Sequence, residues 1–215
     1  LGGAVLSGAD LRSADLTGAD LSEINLSGAN LSNAVLSGAS LSGALLDGAV
    51  LAGTVLVGAN LKRVDFSEKN LRGANLGNAD LSQANLDGAD LAGAIFTGAN
   101  LTDTHLGGAN LQNAQLMGDD LRSANLCGAN LTEANLTSAN LEGVILSANL
   151  QGANLSGASL SGASLDRAML SGVNLSGTDL TGSTLEGMDL NHAVLDGANL
   201  SGTNLRGAIL RAARA

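Results

Sequence analysis

Leucine recurs at every fifth residue along almost the whole chain, and this spacing restricts the possible folds more than any other feature. Leu or Phe occupies positions 1, 6, 11 and onward to 146, then 150, 155 and onward to 210, which makes 43 successive positions. Only Phe66 and Phe96 are not leucine. A period of five matches neither the 3.6-residue period of an amphipathic helix nor the alternation of a long strand. The chain must therefore repeat one short structural unit.

Each five-residue unit has a fixed order of residue types around this central residue. Two residues before the centre, at the inner position, Ala fills 30 of 42 sites; one residue before it, at the outward position, Asn or Asp fills 26 of 42. Because side chains alternate in an extended segment, the inner and central residues share one side and the outward residue points away. The two residues that follow, often Ser-Gly or Thr-Gly, form a corner, since Gly tolerates the positive φ of tight turns. The pattern predicts a β-solenoid filled by Leu and Ala.

The consensus A-(N/D)-L-x-x, seen in LSGANL, LTGADL and LDGANL, resembles the motif of the pentapeptide-repeat family over the full chain. The resemblance implies an all-β fold, a right-handed quadrilateral β-helix (β-solenoid) with four pentapeptides in each coil. The chain would then form about 11 coils and, at a strand spacing of about 4.8 Å, a rod roughly 50 Å long. We expect a single solenoid over residues 1–215. Neither end carries a recognisable polar cap, which predicts a fragment of a longer chain.

The five-residue period is broken once, between Leu146 and Leu150, which are four residues apart. The inner, outward and central residues are intact on both sides, so the missing residue belongs to a corner, where only Ser147 remains. A slip inside the extended segment would instead turn every inward side chain outward. We therefore expect the solenoid to continue through this phase break at 146–150 with both leucines buried. We also expect lost ladder hydrogen bonds at 146–148 and strain at Ser147, which carries the Cβ that Gly lacks.

Composition and motifs argue against catalysis and against a cofactor. His105 and His192 are the only histidines and are too far apart in the repeat to form one site. No EF-hand loop, calcium-binding nonapeptide repeat or Gly-rich phosphate loop is present, which predicts no metal and no cofactor. No apolar run of membrane-spanning length and no signal peptide is found, which predicts no membrane partner and favours the cytoplasm. We expect a non-enzymatic protein without a small-molecule substrate.

The net charge of −10 argues against direct nucleic acid binding and raises a different hypothesis. Some pentapeptide-repeat proteins are acidic rods that mimic DNA and bind a type II topoisomerase such as gyrase, and the resemblance makes this an alternative function. Assigning faces by residue number modulo twenty places Asp20, Asp80 and Asp120 on one acidic face. A duplex of about 50 Å carries roughly 30 charges, so the chain would be a diluted mimic.

We favour a structural scaffold, a rigid rod that binds a protein partner or associates with itself end to end. Most outward residues are polar, but a few are apolar and cluster in the first half of the chain. A contiguous group of exposed apolar residues is typical of a contact site. The predicted contact patch comprises Val35, Leu45, Val50, Val55, Val57 and Ile95. Within it, Val35, Val55 and Ile95 are assigned to one face.

Two inner positions carry charged residues, Lys69 and Asp119. Because a buried unpaired charge is costly, we expect the chain to bulge locally, so that each side chain reaches solvent. The outward Asn side chains are expected to hydrogen-bond to one another up and down the solenoid.

Overall fold

The structure, a computed structural model, describes residues 5–214; Leu1, the first predicted central residue, lies outside the described residues. Within this range the chain forms no helix and no strand longer than a single bridging residue. The bridges are parallel and join outward residues twenty positions apart, as between Asn110 and Asn130, or nineteen apart where the coil includes Ser147. Twenty residues contain four of the five-residue units. The outward residues therefore stack in four columns, numbered 1 to 4 and starting at Val5, Asp10, Asp15 and Asp20.

Backbone hydrogen bonds between successive coils hold these columns together. The N–H of Leu111 donates to the carbonyl of Asn130 at 2.7 Å, and the N–H of Asn130 donates back to the carbonyl of Ala109 at 2.9 Å. Within one unit, the N–H of Ala114 donates to the carbonyl of Leu111 at 3.0 Å and closes the corner. The same pattern recurs in most units, so a β-helix forms without any extended strand.

The corners impose a left-handed backbone on their second residue, as type II turns require. Gly usually occupies this position, for example Gly108 with a φ of 64°. Fifteen residues other than Gly also adopt a positive φ there, among them Glu133 and Arg167. This conformation costs a residue with a Cβ roughly 1–2 kcal/mol. The corner is thus determined by the coil as a whole, and Gly only lowers its cost.

The interior consists of the central and inner residues, as the sequence predicts. Every central residue from Leu21 to Leu195 is at most 5% exposed, whereas Leu6 and Leu205, nearer the two ends of the described range, are half-buried. Some inner positions hold Thr or Ser. Their hydroxyls donate to leucine carbonyls at 2.8–3.0 Å, which satisfies the buried polar atom. These buried residues are Thr54, Thr104, Thr178 and Ser183.

Every Asn or Asp at an outward position makes the same local hydrogen bond. In all 26 cases its Oδ1 accepts the N–H of the first corner residue, two positions later, at 2.9–3.3 Å. This is an Asx turn, in which a short polar side chain substitutes for a backbone acceptor. The outward Asn or Asp therefore stabilises the corner that follows it.

The predicted side-chain ladder between coils is also present, as a second use of the same residues. Nδ2 of Asn130 donates to Oδ1 of Asn110 at 3.2 Å, and Nδ2 of Asn174 donates to Oδ1 of Asn154 at 3.1 Å. One amide can thus accept from its own corner and donate to the previous coil. The repeat pattern predicts the second role only; an Asn or Asp directly before each turn is the signal that indicates the first.

The backbone bridges are interrupted in columns 1 and 2 beside one coil that has several large interior residues. Leu45 and Val50 form no bridge with the coil that follows them, and they are 53% and 42% exposed. That next coil places Val64 and Lys69 at inner positions and Phe66 at a central position. Extra volume in a close-packed interior forces the backbone to shift. We attribute the local separation of the two coils to this excess volume.

Parallel bridges continue on both sides of the phase break. Asn130 bridges to Asn149, one residue short of the usual interval, and Asn149 bridges to Met169 at the usual interval of twenty. Leu146 and Leu150 are both fully buried. The shortened corner therefore changes the length of one coil and does not turn the interior outward.

The predicted loss of hydrogen bonds at 146–148 is wrong for the most part. The N–H of Leu146 still donates to the carbonyl of Ser164 at 2.8 Å, and the hydroxyl of Ser147 donates to the carbonyl of Asp166 at 2.7 Å. Ser147 does not adopt a positive φ. The predicted strain from its Cβ is therefore absent, because a corner of one residue needs no left-handed position.

We expect replacement of Leu111 by Ala to lower the free energy of unfolding by about 2–5 kcal/mol, because Leu111 is fully buried and its loss leaves a cavity. Ser156→Ala, at a corner, is the control and should change it by less than about 0.5 kcal/mol. Urea denaturation followed by circular dichroism measures both values. Similar losses at the two sites would contradict the assignment of inside and outside.

The Asx turn generates a second prediction. Asn130→Ala removes the acceptor for the Thr132 N–H and hydroxyl, so it should destabilise the protein by about 1–2 kcal/mol. Asn130→Asp keeps the Oδ1 acceptor and should cost clearly less in the same denaturation experiment. Both variants lose the donation from Nδ2 to Asn110, so the difference between them reports on the Asx turn. An equal cost for Asp and Ala would show that the corner hydrogen bond does not stabilise the fold.

Candidate functional site

The predicted acidic face exists as a column but not as an unbroken row of charges. Asp20, Asp80 and Asp120 all lie in column 4, where bridges connect them through intervening neutral residues. Those intervening residues are Ser40, Asn60 and Asn100. The acidic side chains are therefore two or three coils apart along the column.

Two of these aspartates also have a cation beside them. Nζ of Lys62 lies 3.2 Å from Oδ2 of Asp80, and Nη2 of Arg122 lies 2.7 Å from Oδ2 of Asp120. The hydrogen bond from the Arg122 side chain holds the pKa of Asp120 below its ordinary value, and hydrogen bonds from Ser22 lower the pKa of Asp20. The acids are thus ionised at neutral pH, but part of their field is cancelled locally.

The six predicted contact residues do not form one patch. Val35, Val55 and Ile95 lie in column 3, with Val35 and Val55 bridged to each other and Asn75 between Val55 and Ile95. Val57 belongs to the corner that follows Val55. The other two residues, Leu45 and Val50, lie in columns 1 and 2. Four of the six therefore share one side of the solenoid, and two are exposed elsewhere.

Column 3 and the corners that follow it form an uncharged surface, which we call the neutral face. Between Asp15 and Asp196, the described residues of this surface include no Asp, Glu, Lys or Arg. Its outward residues are Val35, Val55, Asn75, Ile95, Gln115, Asn135, Asn154, Asn174 and Val194. Met117, at one of its corners, is 41% exposed; it is absent from the predicted contact patch, which was drawn mainly from outward positions.

The neutral face is apolar in its first half and amide-rich in its second. Ile95 is 39% exposed, and Val35, Val55 and Val57 are half-buried around it. By contrast, each of the other three columns, with its corners, contains charged residues in the middle of the chain. Examples are Asp65 in column 1, Asp90 in column 2 and Asp120 in column 4. The chain thus separates its charge from one side of the rod.

The prediction that the side chain of Asp119 reaches solvent is wrong. The side chain is fully buried at an inner position. Its Oδ1 accepts the N–H of Ala99 at 3.0 Å, whereas its Oδ2 has no hydrogen-bond partner. Burial raises the pKa of Asp119 to about 7, and hydrogen bonds from the backbone of Gly98 and Ala99 oppose that rise. The backbone therefore satisfies one oxygen without any bulge that would expose the other.

The side chain of Lys69 is closer to the prediction, because it is not fully buried. The residue is half-buried, and its Nζ donates to the carbonyl of Ser67 at 3.4 Å, at the neighbouring corner. A flexible stem of four methylenes lets the ammonium group reach the surface from an inner position. Lys69 and Asp119 do not contact each other and form no common site.

The two histidines of the chain lie in different parts of the structure. His105 lies in column 1, whereas His192 occupies a corner after Leu190. No group of three or more His, Cys, Asp or Glu residues in the range 5–214 could hold a metal ion. The same range contains no helix with the length and apolar character of a membrane span.

Comparison with known proteins agrees with the repeat geometry. The profile of the pentapeptide repeats matches in eight copies, over residues 1–28, 29–68, 70–103, 109–147, 148–187 and 174–211. The chain belongs to the pentapeptide-repeat family. The family fold is a right-handed β-helix, and its members are generally structural or interaction proteins rather than enzymes. No curated protein sequence matches significantly.

Several solved pentapeptide-repeat structures are similar to the chain. HetL from the cyanobacterium Nostoc sp. strain PCC 7120, a protein involved in regulation of heterocyst differentiation, is 34% identical over 94% of this chain and 90% of its own, with a TM-score of 0.38. The protein alr5209 from Nostoc PCC 7120 is 37% identical over 40% of this chain and 69% of its own, with a TM-score of 0.38. A trypsin-treated variant of QnrB1, a plasmid-mediated fluoroquinolone resistance protein, is 25% identical over 93% and 88%, with a TM-score of 0.39.

The buried carboxyl group predicts how the stability of this pentapeptide-repeat protein depends on pH. The pKa of Asp119 is about 7 in the folded state and 3.8 in the absence of the fold. Between these values the folded chain binds a proton that the unfolded chain does not, so this group lowers stability as pH rises from about 4 to about 7. Asp119→Asn should therefore be more stable than the unmodified chain at pH 8, and the advantage should shrink toward pH 4.

Urea denaturation at several pH values between 4 and 8 measures this difference. Asp120→Asn is the matched control, because it removes the adjacent carboxyl group, whose pKa is lowered in the folded chain and not raised. Asp120→Asn should not become increasingly more stable than the unmodified chain as the pH rises from 4 to 7. A difference between Asp119→Asn and the unmodified chain that is constant across this range would contradict the proposed ionisation.

Proposed function

We propose that this protein is a non-enzymatic pentapeptide-repeat rod of about 11 four-sided coils that binds a protein partner along the neutral face. The proposal treats residues 5–214 as one solenoid, continuous through the shortened corner at Ser147. The rod supplies a rigid support, and the exposed apolar residues of one side supply the contact.

The separation of charge carries this proposal. A chain with a net charge of −10 leaves one side uncharged between Asp15 and Asp196, and that side also presents Ile95 and Met117 at about 40% exposure. The centres of protein interfaces are depleted in charged residues and enriched in Met and other apolar residues relative to the remaining surface. Solubility alone would be served by charge on every side.

Binding of an acidic rod to a type II topoisomerase is the weaker alternative. It is supported by the alignment of Asp20, Asp80 and Asp120 in one column. The ion pairs of Asp80 with Lys62 and of Asp120 with Arg122 count against it, because a DNA mimic needs an excess of uncompensated charge along the face. Inhibition of gyrase supercoiling that weakens as salt is added would favour this alternative.

Site-specific photo-crosslinking tests the neutral face directly. A photoreactive amino acid is placed at position 95 on the neutral face or at position 145, where Ile145 is 57% exposed in column 1. The same residue type is therefore replaced at both sites, and the control site is the more exposed one. We expect protein adducts at position 95 to exceed those at position 145 in cells that produce the protein.

Two substitutions serve as controls in the crosslinking experiment. Val55→Asp introduces a charge on the neutral face two coils from position 95 and should strongly reduce the adducts, whereas Leu45→Asp, in another column, should leave them unchanged. Equal adduct yields at positions 95 and 145 would refute the neutral face as the contact surface.

A further inference from the structure

We propose that the partner on the neutral face is a second copy of this chain, packed antiparallel about a twofold axis that passes through Asn75. This inference rests on the function proposed above and names the occupant of the same surface. It follows from the charge of the rod, from the order of residues in column 3 and from the spacing of the coils.

Electrostatic repulsion limits the surfaces through which two copies of the chain can associate. Each copy carries a net charge of −10, and like charges brought together across an interface are strongly unfavourable. Columns 1, 2 and 4 would oppose acidic residues such as Asp65, Asp90 and Asp120. The neutral face is the side of the described rod on which two copies can meet without placing these acids against each other.

The order of residues in column 3 is nearly symmetric about Asn75. One coil to either side of Asn75 lie Val55 and Ile95, and two coils away lie Val35 and Gln115. Rotation by a twofold axis at Asn75 places Val55 of one copy against Ile95 of the partner subunit, and the reverse contact forms at the same time. Such an interface is self-complementary, as most homodimer contacts are.

The next coil extends the same match. Val35 would lie near the partner's Gln115, whose amide already donates to the carbonyl of Asn113 in its own chain, and near the partner's Met117, whose exposed thioether can adapt to an irregular surface. At the axis, Asn75 would meet the partner's Asn75. A polar pair inside an otherwise apolar contact fixes the register, because any shift leaves its amide groups against apolar side chains.

Coil spacing also favours an identical partner. Successive residues of column 3 are separated by one coil, about 4.8 Å. A second copy has the same spacing, so contacts stay in register over all five coils from Val35 to Gln115. In a partner whose contacting residues are spaced differently along its axis, those residues would no longer face column 3 after one or two coils.

The contact is small, which determines how it must be measured. Five coils span roughly 24 Å, and one side of such a rod offers less than the ~800 Å² per partner of a standard interface. The dimer should therefore be weak and dependent on concentration. Added salt should strengthen it, because screening reduces the repulsion between the two acidic rods; a contact between acidic residues and a basic partner would weaken instead.

Sedimentation equilibrium over a hundredfold range of concentration tests the proposal on the whole chain. The unmodified chain should dimerise, and Ile95→Lys should raise the dissociation constant at least tenfold. Ile145→Lys is the matched control, since Ile145 is more exposed and lies in column 1; it should leave the constant unchanged. Circular dichroism and the melting temperature establish that each variant is folded.

A double variant tests the antiparallel register. Val55→Asp alone should also weaken the dimer. Val55→Asp combined with Ile95→Lys should restore it, because each introduced carboxylate faces an introduced ammonium group of the other copy. Restoration should diminish with added salt, in contrast to the behaviour of the unmodified dimer.

Three results would overturn the proposal: a monomer at every concentration, equal weakening by Ile145→Lys, or no restoration in the double variant. Open-ended oligomers that respond to neither substitution would overturn it as well, and would indicate end-to-end association. The function proposed above would survive a monomer if crosslinks from position 95 still reached a different protein. It would fail separately if position 95 gave no more adducts than position 145.

Discussion

The backbone hydrogen bond from one coil to the next is the interaction on which this structure depends. Each unit contributes a single bridging residue, so no strand holds its neighbours through a long ladder. Successive coils must therefore remain at nearly constant separation, and the interior must have nearly constant width. Ala satisfies this requirement at most inner positions, and Thr or Ser satisfies it when the hydroxyl bonds a leucine carbonyl, as at Thr104. Val64 and Lys69 are larger, and the coils separate beside them.

This dependence explains which features could be predicted from the sequence. The period of Leu and the alternation of Ala and Asn determine what points inward, and central residues from Leu21 to Leu195 are buried as expected. The fate of Asp119 could not be predicted, because it depends on whether the Ala99 N–H of the previous coil lies within reach of a carboxyl group. The exposure of Leu45 and Val50 likewise depends on the volume of residues one coil away. The neutral face could be predicted in part. Residue numbers modulo twenty group Val35, Val55 and Ile95 on one side, but adding Met117 to that side requires knowing where the corner residues lie.

The corners also organise the surface charge. An outward residue and the first corner residue lie two positions apart on the same edge, and the Asx turn brings their side chains together. An acid followed by Arg at this spacing therefore forms an ion pair, as between Asp10 and Arg12 at 2.6 Å and between Asp120 and Arg122 at 2.7 Å. The same local geometry that stabilises a turn thus reduces the field of the acidic columns. This is a physical reason to assign the contact to the uncharged side rather than to the acidic one.

The interval of twenty residues between bridged positions has a consequence for how the gene of such a rod can change in length. Loss of one residue at a corner, as at Ser147, shortens a single coil and leaves every later residue in its column. Loss or duplication of one whole five-residue unit would preserve the interior equally well, but it would rotate everything downstream onto the next side. Asn135 and Asn174 would then no longer continue the surface that begins at Val35. Only changes by multiples of four units keep a long uncharged side intact, so a face that spans many coils records the history of its own insertions and deletions.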